Sequence, residues 1–490
     1  MRLTLIFPSV GRKDGRPYVR AWQMEPLSAA VLASLTPDDI ELRFYDDRVE
    51  PIPFDEPTDL VVMSVETFTA LRAYRIARLF RRRGVPVVFG GYHVTLLPEE
   101  AATEADAIVV GDAEPVWRQL IDDFRHGRLQ PRYDGRGRRV LAGIRPQREI
   151  FAGKRYQNIT LVEFARGCNF KCDFCSITAF NGANQNHRPA AEVAAEMEAT
   201  GSRRFFIVDD NIVSQPQRAR ELCRELIPLR INWVGQASIH IARDDELLKL
   251  LVKSGCRGLL IGMESLDPAN LRDMGKEWNL ADGSYADSLR RFRDHGLAVY
   301  GTFVFGYDND DADAIRRSID FAIEQKLFLA AFNHLIPFPG TPLFKRLRDE
   351  GRLLSPHWWL DRQSRVGDVA FRPRRMSPER LQELCLGARR DFYRFGSICR
   401  RLADFKANLK SPLMGMVYLA LNLQSHFDID LRQGLLLGAG ALADNEVYEP
   451  RRHGDTEKGE GKGSRKNERG DSTKTDKITD DDAAVLVSAD

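Results

Sequence analysis

Cysteine is scarce in this sequence: seven residues in 490, and none before Cys168. The first third of the chain therefore offers no thiolate for a metal cluster and no disulfide. Histidine is nearly as sparse, and His93 is the only one before His126. Neither sign of charge is in excess. With 72 basic and 70 acidic side chains the formal net charge is +2, so nothing demands a nucleic-acid partner. Long hydrophobic runs are missing too. The opening Met1-Arg2-Leu3-Thr4-Leu5-Ile6-Phe7-Pro8 is too short for a signal peptide or a membrane span, as are the apolar stretches 413–421 and 435–442. These absences predict a cytoplasmic protein with no transmembrane segment.

Three of the seven cysteines lie together, in Ala165-Arg166-Gly167-Cys168-Asn169-Phe170-Lys171-Cys172-Asp173-Phe174-Cys175. The spacing is C-x3-C-x2-C. A four-iron cluster takes four cysteines when fully ligated by protein, so three thiolates hold three irons and leave the fourth open. A zinc site is the competing reading, but zinc takes four ligands. The next cysteine, Cys223, lies 48 residues beyond Cys175 with no His or Cys beside it. A disulfide needs an oxidising compartment, for which there is no export signal.

Hydrophobic periodicity divides the chain. Residues 1–118 alternate short β-rich runs (3–7, 41–45, 60–64, 85–89, 107–110) with helical patterns such as 26–35 and 70–83. This predicts an α/β domain of flavodoxin-like type, a parallel sheet with its ligand at the strand C-termini. Residues 119–155 read as a connector. Over 156–375 the alternation resumes, with strands at 159–164, 204–208, 231–237, 258–263, 298–305 and 329–335 and helices such as 191–200, 245–254 and 312–325. Six such units predict a partial (β/α)6 barrel of TIM type, with the cysteines in the loop after its first strand, on the face where such barrels carry chemistry. Residues 376–448 read as a helical C-terminal region. The tail 449–490, with Ile478 its one strong apolar residue between 451 and 482, reads as disordered.

The cysteine motif, with Phe174 as the aromatic before its third cysteine, resembles the radical SAM superfamily. The resemblance implies a 4Fe-4S cluster on Cys168, Cys172 and Cys175 whose open iron is chelated by S-adenosyl-L-methionine. It implies reductive cleavage to a 5′-deoxyadenosyl radical, with electrons from a flavodoxin- or ferredoxin-type donor. Asp209, Asp210 and Asn211 end the second barrel strand, where the family often has a Gly-Gly-Glu segment for the amino group of S-adenosylmethionine. This chain departs from that wording, and its polar groups serve either that cation or a helix N-cap ahead of Gln217. Ser238, with His240 close behind, follows the third strand. Glu264 resembles the family's strand-end glutamate near the nucleoside, a surface salt bridge being the alternative. Tyr307, Asp308 and His334 close the last two strands and face either substrate or core.

In the N-terminal domain, Gly90-Gly91-Tyr92-His93 follows the fourth strand, and two glycines there permit close approach to a ligand. With Val109-Val110-Gly111-Asp112-Ala113-Glu114, the segment resembles the cobalamin-binding domain of cobalamin-dependent radical SAM methyltransferases and of the anaerobic Mg-protoporphyrin monomethyl ester cyclase family. That resemblance implies cobalamin, with Gly90, Gly91 and His93 as cofactor contacts. The D-x-H-x-x-G signature that supplies a cobalt-ligating histidine is absent: residues 8–20 hold no histidine. The alternative is a flavodoxin-like domain without its ligand.

Three function classes emerge. The first is a radical SAM enzyme that methylates an unactivated carbon with cobalamin; the same architecture can also oxidise or cyclise a tetrapyrrole or lipid-like small molecule. The second, methylthiotransfer, needs three further cysteines in the N-terminal domain. An auxiliary cluster of twitch or SPASM type needs a group after the barrel, where Cys385 and Cys399 are only a pair. The third is a non-catalytic redox or cobalamin sensor, against which the polar strand ends argue. Trp358-Trp359, Phe338 and the apolar C-terminal helices either cover a lipophilic substrate or belong to the core.

Overall fold

The computed structural model describes residues 1–13, 16–17, 23–137, 140–281, 283–431 and 433–442. Its first layer is a six-stranded parallel sheet: β1 (Arg2–Phe7), β2 (Glu41–Asp46), β3 (Leu60–Ser64), β4 (Val87–Gly90), β5 (Ala107–Val110) and β6 (Arg132–Asp134), in the order β2-β1-β3-β4-β5-β6. The central strands are apolar on both faces. Leu60, Val61, Val62 and Met63 are all buried, as is every residue of β5, because helices cover both sides. Helix Ala70–Arg82 covers one side with Ala73, Tyr74, Ile76, Ala77 and Phe80. The strand order reverses between β1 and β3, so the crevice for a ligand opens at their C-terminal ends. The sheet does not stop at residue 118. The stretch expected to be a connector contributes helix Trp117–Arg125 and then β6, which pairs with β5 through Ile108, Val109 and Val110.

The second sheet takes β7 (Thr160–Val162), β10 (Arg204–Ile207), β11 (Asn232–Ala237), β12 (Cys256–Glu264), β13 (Ala298–Phe305) and β14 (Leu329–His334), all parallel and in sequential order, with β7 and β14 as open edges. This is the predicted partial barrel. Between β7 and β10 a small antiparallel ribbon, β8 (Ala165–Cys168) and β9 (Asn184–His187), projects from the barrel's C-terminal face and carries the first cysteine.

Helices Pro378–Tyr393, Phe395–Leu402 and Pro412–Asp428 close the fold. Arg401 knots them together. Fully buried, it donates to Leu327 O, Phe392 O and Asn422 Oδ1, and its guanidinium lies 3.7 Å from the centre of the Phe392 ring. The helical expectation fails over 435–442. Gly434, Gly438 and Gly440 all adopt positive φ, which ends helical winding. The segment instead runs as an irregular strap across the N-terminal domain. Gly438 N donates to Val10 O at 2.8 Å, Arg12 N to Ala439 O at 2.9 Å, and Arg72 Nη1 to Ala439 O at 2.9 Å. Leu437 is buried in the N-terminal core. The tail read as disordered, 449–490, lies outside the described residues.

Leu437 is thus the apolar anchor of the strap. Leu437→Ala is expected to cost about 2–5 kcal/mol locally, the range for a buried leucine truncation. Hydrogen–deuterium exchange should speed up in 433–442 and in the loop after β1, leaving the barrel strands unchanged. Unchanged exchange in the strap would refute the anchoring.

Candidate active site

The cysteine loop is tied down by polar groups at the ends of several barrel strands. Asp209 Oδ1 accepts from Phe164 N and Asp210 Oδ2 from Gly167 N, both at 2.7 Å. Asn211 Nδ2 lies 3.7 Å from Cys168 Sγ and 2.6 Å from Ser238 Oγ. Asn169 N donates to Ser214 Oγ at 3.0 Å. From the far side of the barrel, Met274 O accepts from Asp173 N at 3.0 Å and the Tyr307 hydroxyl donates to the Asp173 carboxylate. Phe170 stacks on Trp278 with centroids 3.9 Å apart, and Phe174 meets the Tyr307 ring edge to face.

Cys172 is buried, while Cys168 and Cys175 are partly exposed. Cys175 immediately precedes helix Ser176–Asn181. Burial pushes the Cys172 thiol up to about 12 and raises Cys175 as well; the charges of Cys168 and Cys175 act on Cys172 in the same direction, which shows how close the three sulfurs are. Metal binding here must displace protons. Among the described residues no three His, Cys, Asp or Glu side chains close on a single metal ion. Three thiols, against the four ligands that zinc takes, suit a cluster with one thiolate per iron.

The counter-charge is Lys276, which the sequence reading missed. It is buried, and its Nζ lies 2.6 Å from Glu264 Oε1 and 3.0 Å from Gly262 O. Burial works against its ammonium, but the Glu264 carboxylate and then Cys172 outweigh that and hold its pKa above the ordinary value. β12 bulges between Gly262 and Glu264, and Glu264 takes φ +60°, a left-handed conformation that turns its side chain toward the lysine. A Cβ at position 262 would meet Glu264 Oε1 and Lys276 Nζ, so a side chain there would move the ends of both. The surface salt bridge is thus excluded as the account of Glu264: the pair is interior. No local signal marked Lys276, which stands between Gly275 and Glu277 in a charged stretch.

Other expectations need correction. Asp209 is 1% exposed, and desolvation raises its carboxyl well above the ordinary range. Enclosed, with Oδ1 already accepting from Phe164 N, Asp209 braces the backbone that leads into β8. Neither Asp209 nor Asp210 caps a helix, since the next one begins at Pro216. His93 is fully buried inside the N-terminal domain, with Nε2 3.1 Å from the Tyr74 hydroxyl and 3.0 Å from Glu100 Oε1, so it does not reach toward a cofactor. Gly91, at φ +102°, has its missing Cβ directed at the Val65 backbone, 2.8 Å from Val65 O. Its glycine is required by the neighbouring strand end rather than by a ligand. Gly90 has ordinary room beside Val109.

The ligand-bearing ends of the two sheets face each other. Tyr92, after β4, packs on Phe180, in the helix after Cys175, with centroids 4.4 Å apart. Phe68, after β3, meets Phe338, after β14, at 6.1 Å. Arg166 Nη1 donates to Asp112 at 2.8 Å, and Nη2 to Glu114 at 2.9 Å and Glu163 at 2.8 Å. Glu66, after β3, remains accessible to water although protein atoms surround it, as expected of a cleft wall, and desolvation raises its carboxyl. A cavity of about 660 Å³ lies along β14, bounded by Phe68, Tyr300, His334, Trp358 and Tyr393. Burial, followed by the charge of Arg389, pushes His334 down to about 4.

Residues 162–322 match the Radical SAM superfamily. The chain is 29% identical over 390 residues to bacteriochlorophyllide d C-12(1)-methyltransferase of Chlorobaculum tepidum, covering 77% of this chain and 84% of that protein. It is 30% identical over 351 residues to the C-8(2)-methyltransferase of the same organism, covering 68% and 78%. Among solved structures, the radical S-adenosylmethionine methyltransferase TsrM from Kitasatospora setae, with cobalamin and a [4Fe-4S] cluster bound, superposes with a TM-score of 0.59 at 17% identity, covering 88% of this chain and 98% of that one. The cobalamin-dependent S-adenosylmethionine radical enzyme OxsB gives 0.60 at 13% identity, covering 87% and 72%. At these identities the likeness is one of fold.

Two outcomes test the electrostatics. Lys276→Met leaves Glu264 buried without its partner, a loss of about 3–5 kcal/mol. Lys276→Met/Glu264→Gln should recover most of the thermal stability, and the single variant should retain less iron per chain after reconstitution. Equal melting of wild type and single variant would contradict the buried pair. For His334, the folded pKa lies below the unfolded value of about 6.5. Its contribution to stability is complete above that value and is lost as pH falls toward 4, because the unfolded chain takes up a proton that the folded one refuses. His334→Asn should lose less thermal stability on acidification than wild type. Identical pH profiles would show that the imidazole titrates freely.

Proposed function

The chain belongs to the radical SAM superfamily, and from that premise we propose that it is a cobalamin-dependent methyltransferase acting on an unactivated carbon of a large, mainly apolar small molecule of tetrapyrrole or polycyclic-lipid type. The observation that carries this reading is the opposition of the two sheets: the helix that follows Cys175 meets the loop after β4 through Phe180 and Tyr92, so a cofactor in the N-terminal crevice neighbours one on the cysteines. Two relatives named for methylation of bacteriochlorophyllide, and a hopanoid C-2 methylase of Rhodopseudomonas palustris at 25% identity, support both the reaction and the substrate class.

Cys168, Cys172 and Cys175 would hold the 4Fe-4S cluster. Once bound, the cluster would supply the electron for reductive cleavage of S-adenosylmethionine, and cobalamin would supply the methyl group. The residues around them do the rest. Asp209 and Asp210 hold the backbone before Cys168. Asn211, shared between Cys168 and Ser238, presents its amide at the rim of the site. Lys276 offsets the negative charge of the thiolates. Tyr92 and Glu66 form part of the wall of the N-terminal crevice, and no imidazole there is free to ligate cobalt among the described residues. The cavity along β14 is the candidate substrate chamber, large enough for a drug-sized ligand. A donor of flavodoxin or ferredoxin type, and hence the reducing cytoplasm, fits a cluster of this kind.

Anaerobic reconstitution with iron, sulfide and hydroxocobalamin tests the reading. Wild type should retain both cofactors and release 5′-deoxyadenosine on reduction. Cys168→Ala/Cys172→Ala/Cys175→Ala should lose iron and 5′-deoxyadenosine, whereas alanine at Cys223, Cys256, Cys385 or Cys399 should not. Retained iron in the triple variant would sink the cluster assignment. An iron-replete protein that takes up no cobalamin would remove methylation from the proposal while leaving radical formation standing.

A further inference from the structure

Helix Pro412–Asp428 has an outer face that nothing in the fold explains. From Pro412 to Phe427 it contains no Asp, Glu, Lys or Arg. Its inner side is pinned by polar contacts: the Tyr418 hydroxyl donates to Ile398 O of the neighbouring helix at 3.0 Å, and Asn422 Nδ2 to Phe328 O, just before β14, at 3.1 Å. Its outer side shows Leu413, Met416, Val417 and Phe427, exposed by 63, 55, 41 and 66%. Their spacing places them on one helical stripe. Phe395, whose ring is 4.7 Å from that of His426, widens the stripe into a patch. Scattered surface apolar residues need no explanation, but a contiguous patch of this size does.

The flank along helix Phe395–Leu402 is cationic: Arg394 and Arg400 are exposed, and Asp404, the one acid between 394 and 427, is buried and accepts from Lys406 N. Lys406 pairs with Asp294, and beyond Phe427 Asp430 pairs with Arg390. No helix among the described residues is long and apolar enough to cross a membrane. An apolar stripe with a basic flank suits a helix lying in the plane of an anionic lipid surface. The same helix leads to the substrate chamber. Ser425, Asp428 and Ile429, at its C-terminal end, line the cavity along β14.

We propose that the face formed by helices Phe395–Leu402 and Pro412–Asp428 docks on an anionic lipid membrane, with the chamber along β14 opening beside the docked surface. The docking stands apart from the chemistry of the reaction centre and is tested separately from it.

The experiment is flotation of the full-length protein, cluster in place, with vesicles of phosphatidylcholine alone and of phosphatidylcholine mixed equally with phosphatidylglycerol. Wild type should float with the mixed vesicles, and less so at high salt. Leu413→Glu/Met416→Glu/Phe427→Glu should lower the bound fraction by about tenfold or more, because it removes apolar area and adds like charge. Arg394→Gln/Arg400→Gln should weaken binding to the mixed vesicles only. Melting temperature and 5′-deoxyadenosine formation without vesicles should match wild type in both variants, separating docking from folding and from the reaction. Failure of wild type to float with either vesicle would overturn the proposal, as would equal flotation of the triple-glutamate variant. A wild-type dimer that this variant converts to monomer, with no lipid binding, would assign the face to self-association instead.

Discussion

The guanidinium of Arg166 sets how the two sheets meet. It stands two residues before Cys168 on β8, and it is held by Glu163 from its own barrel and by Asp112 and Glu114 from the loop after β5. Three carboxylates around one cation, all largely withdrawn from water, form a geometry that neither side can relax alone. Removing the arginine would take the shared cation away from three enclosed acids. The position of the cysteine loop relative to the N-terminal crevice is therefore fixed by charge as well as by the Tyr92–Phe180 contact. That spacing is what a reaction shared between two cofactors requires.

Within the barrel, the strand-end groups divide their labour by burial. Asp209, enclosed, acts on backbone. Asp210 does the same one step closer to the first cysteine, and Asn211 reaches the sulfur. The opposite wall contributes the cation. Lys276 stays charged in a buried position only because Glu264 lies beside it, and Glu264 gets there only through a strand bulge and a left-handed backbone. Local strain at β12 thus supports a positive charge next to a site that must accumulate thiolates. Such strain is stored where the surroundings over-determine it, as they do here through Gly262 O and the packed loop at Gly275.

The C-terminal region does more than cover the barrel. Its helices close one side of the chamber along β14, and its strap returns across the N-terminal domain to pair with the loop after β1. The first loop of the N-terminal crevice is therefore built from both ends of the chain. Gly11, beside Val10 in that loop, has its missing Cβ within 3.0 Å of Ala439 N, so the strap sits as close as backbone can come.

Much of this was legible in the sequence because the signals were local. Strand 60–64 was recognisable as a continuous apolar run, and 298–305 as a strand from its β-rich composition; C-x3-C-x2-C states its ligand count without any fold at all. Phe174 beside the third cysteine was legible for the same reason. The roles of single polar residues were not. Asp209 and His93 both follow strands whose C-terminal ends carry ligands, and both turned inward, because the direction of a side chain depends on which backbone amide or hydroxyl the packed neighbours offer. Lys276 and Arg166 became meaningful only when distant segments met, 12 residues away at Glu264 and 52 residues away at Glu114. The strap at 435–442 looked helical by composition and was decided by three left-handed glycines and a vacancy for Leu437 in a core some 360 residues earlier. Sequence alone determined the main strand–helix alternation of the two sheets, the spacing of the cysteine set and the family, since these rest on periodicity and spacing along one dimension. Tertiary structure alone decided which charges are buried, which pair, and which apolar face is left uncovered, since burial and pairing depend on contacts between residues far apart in the chain.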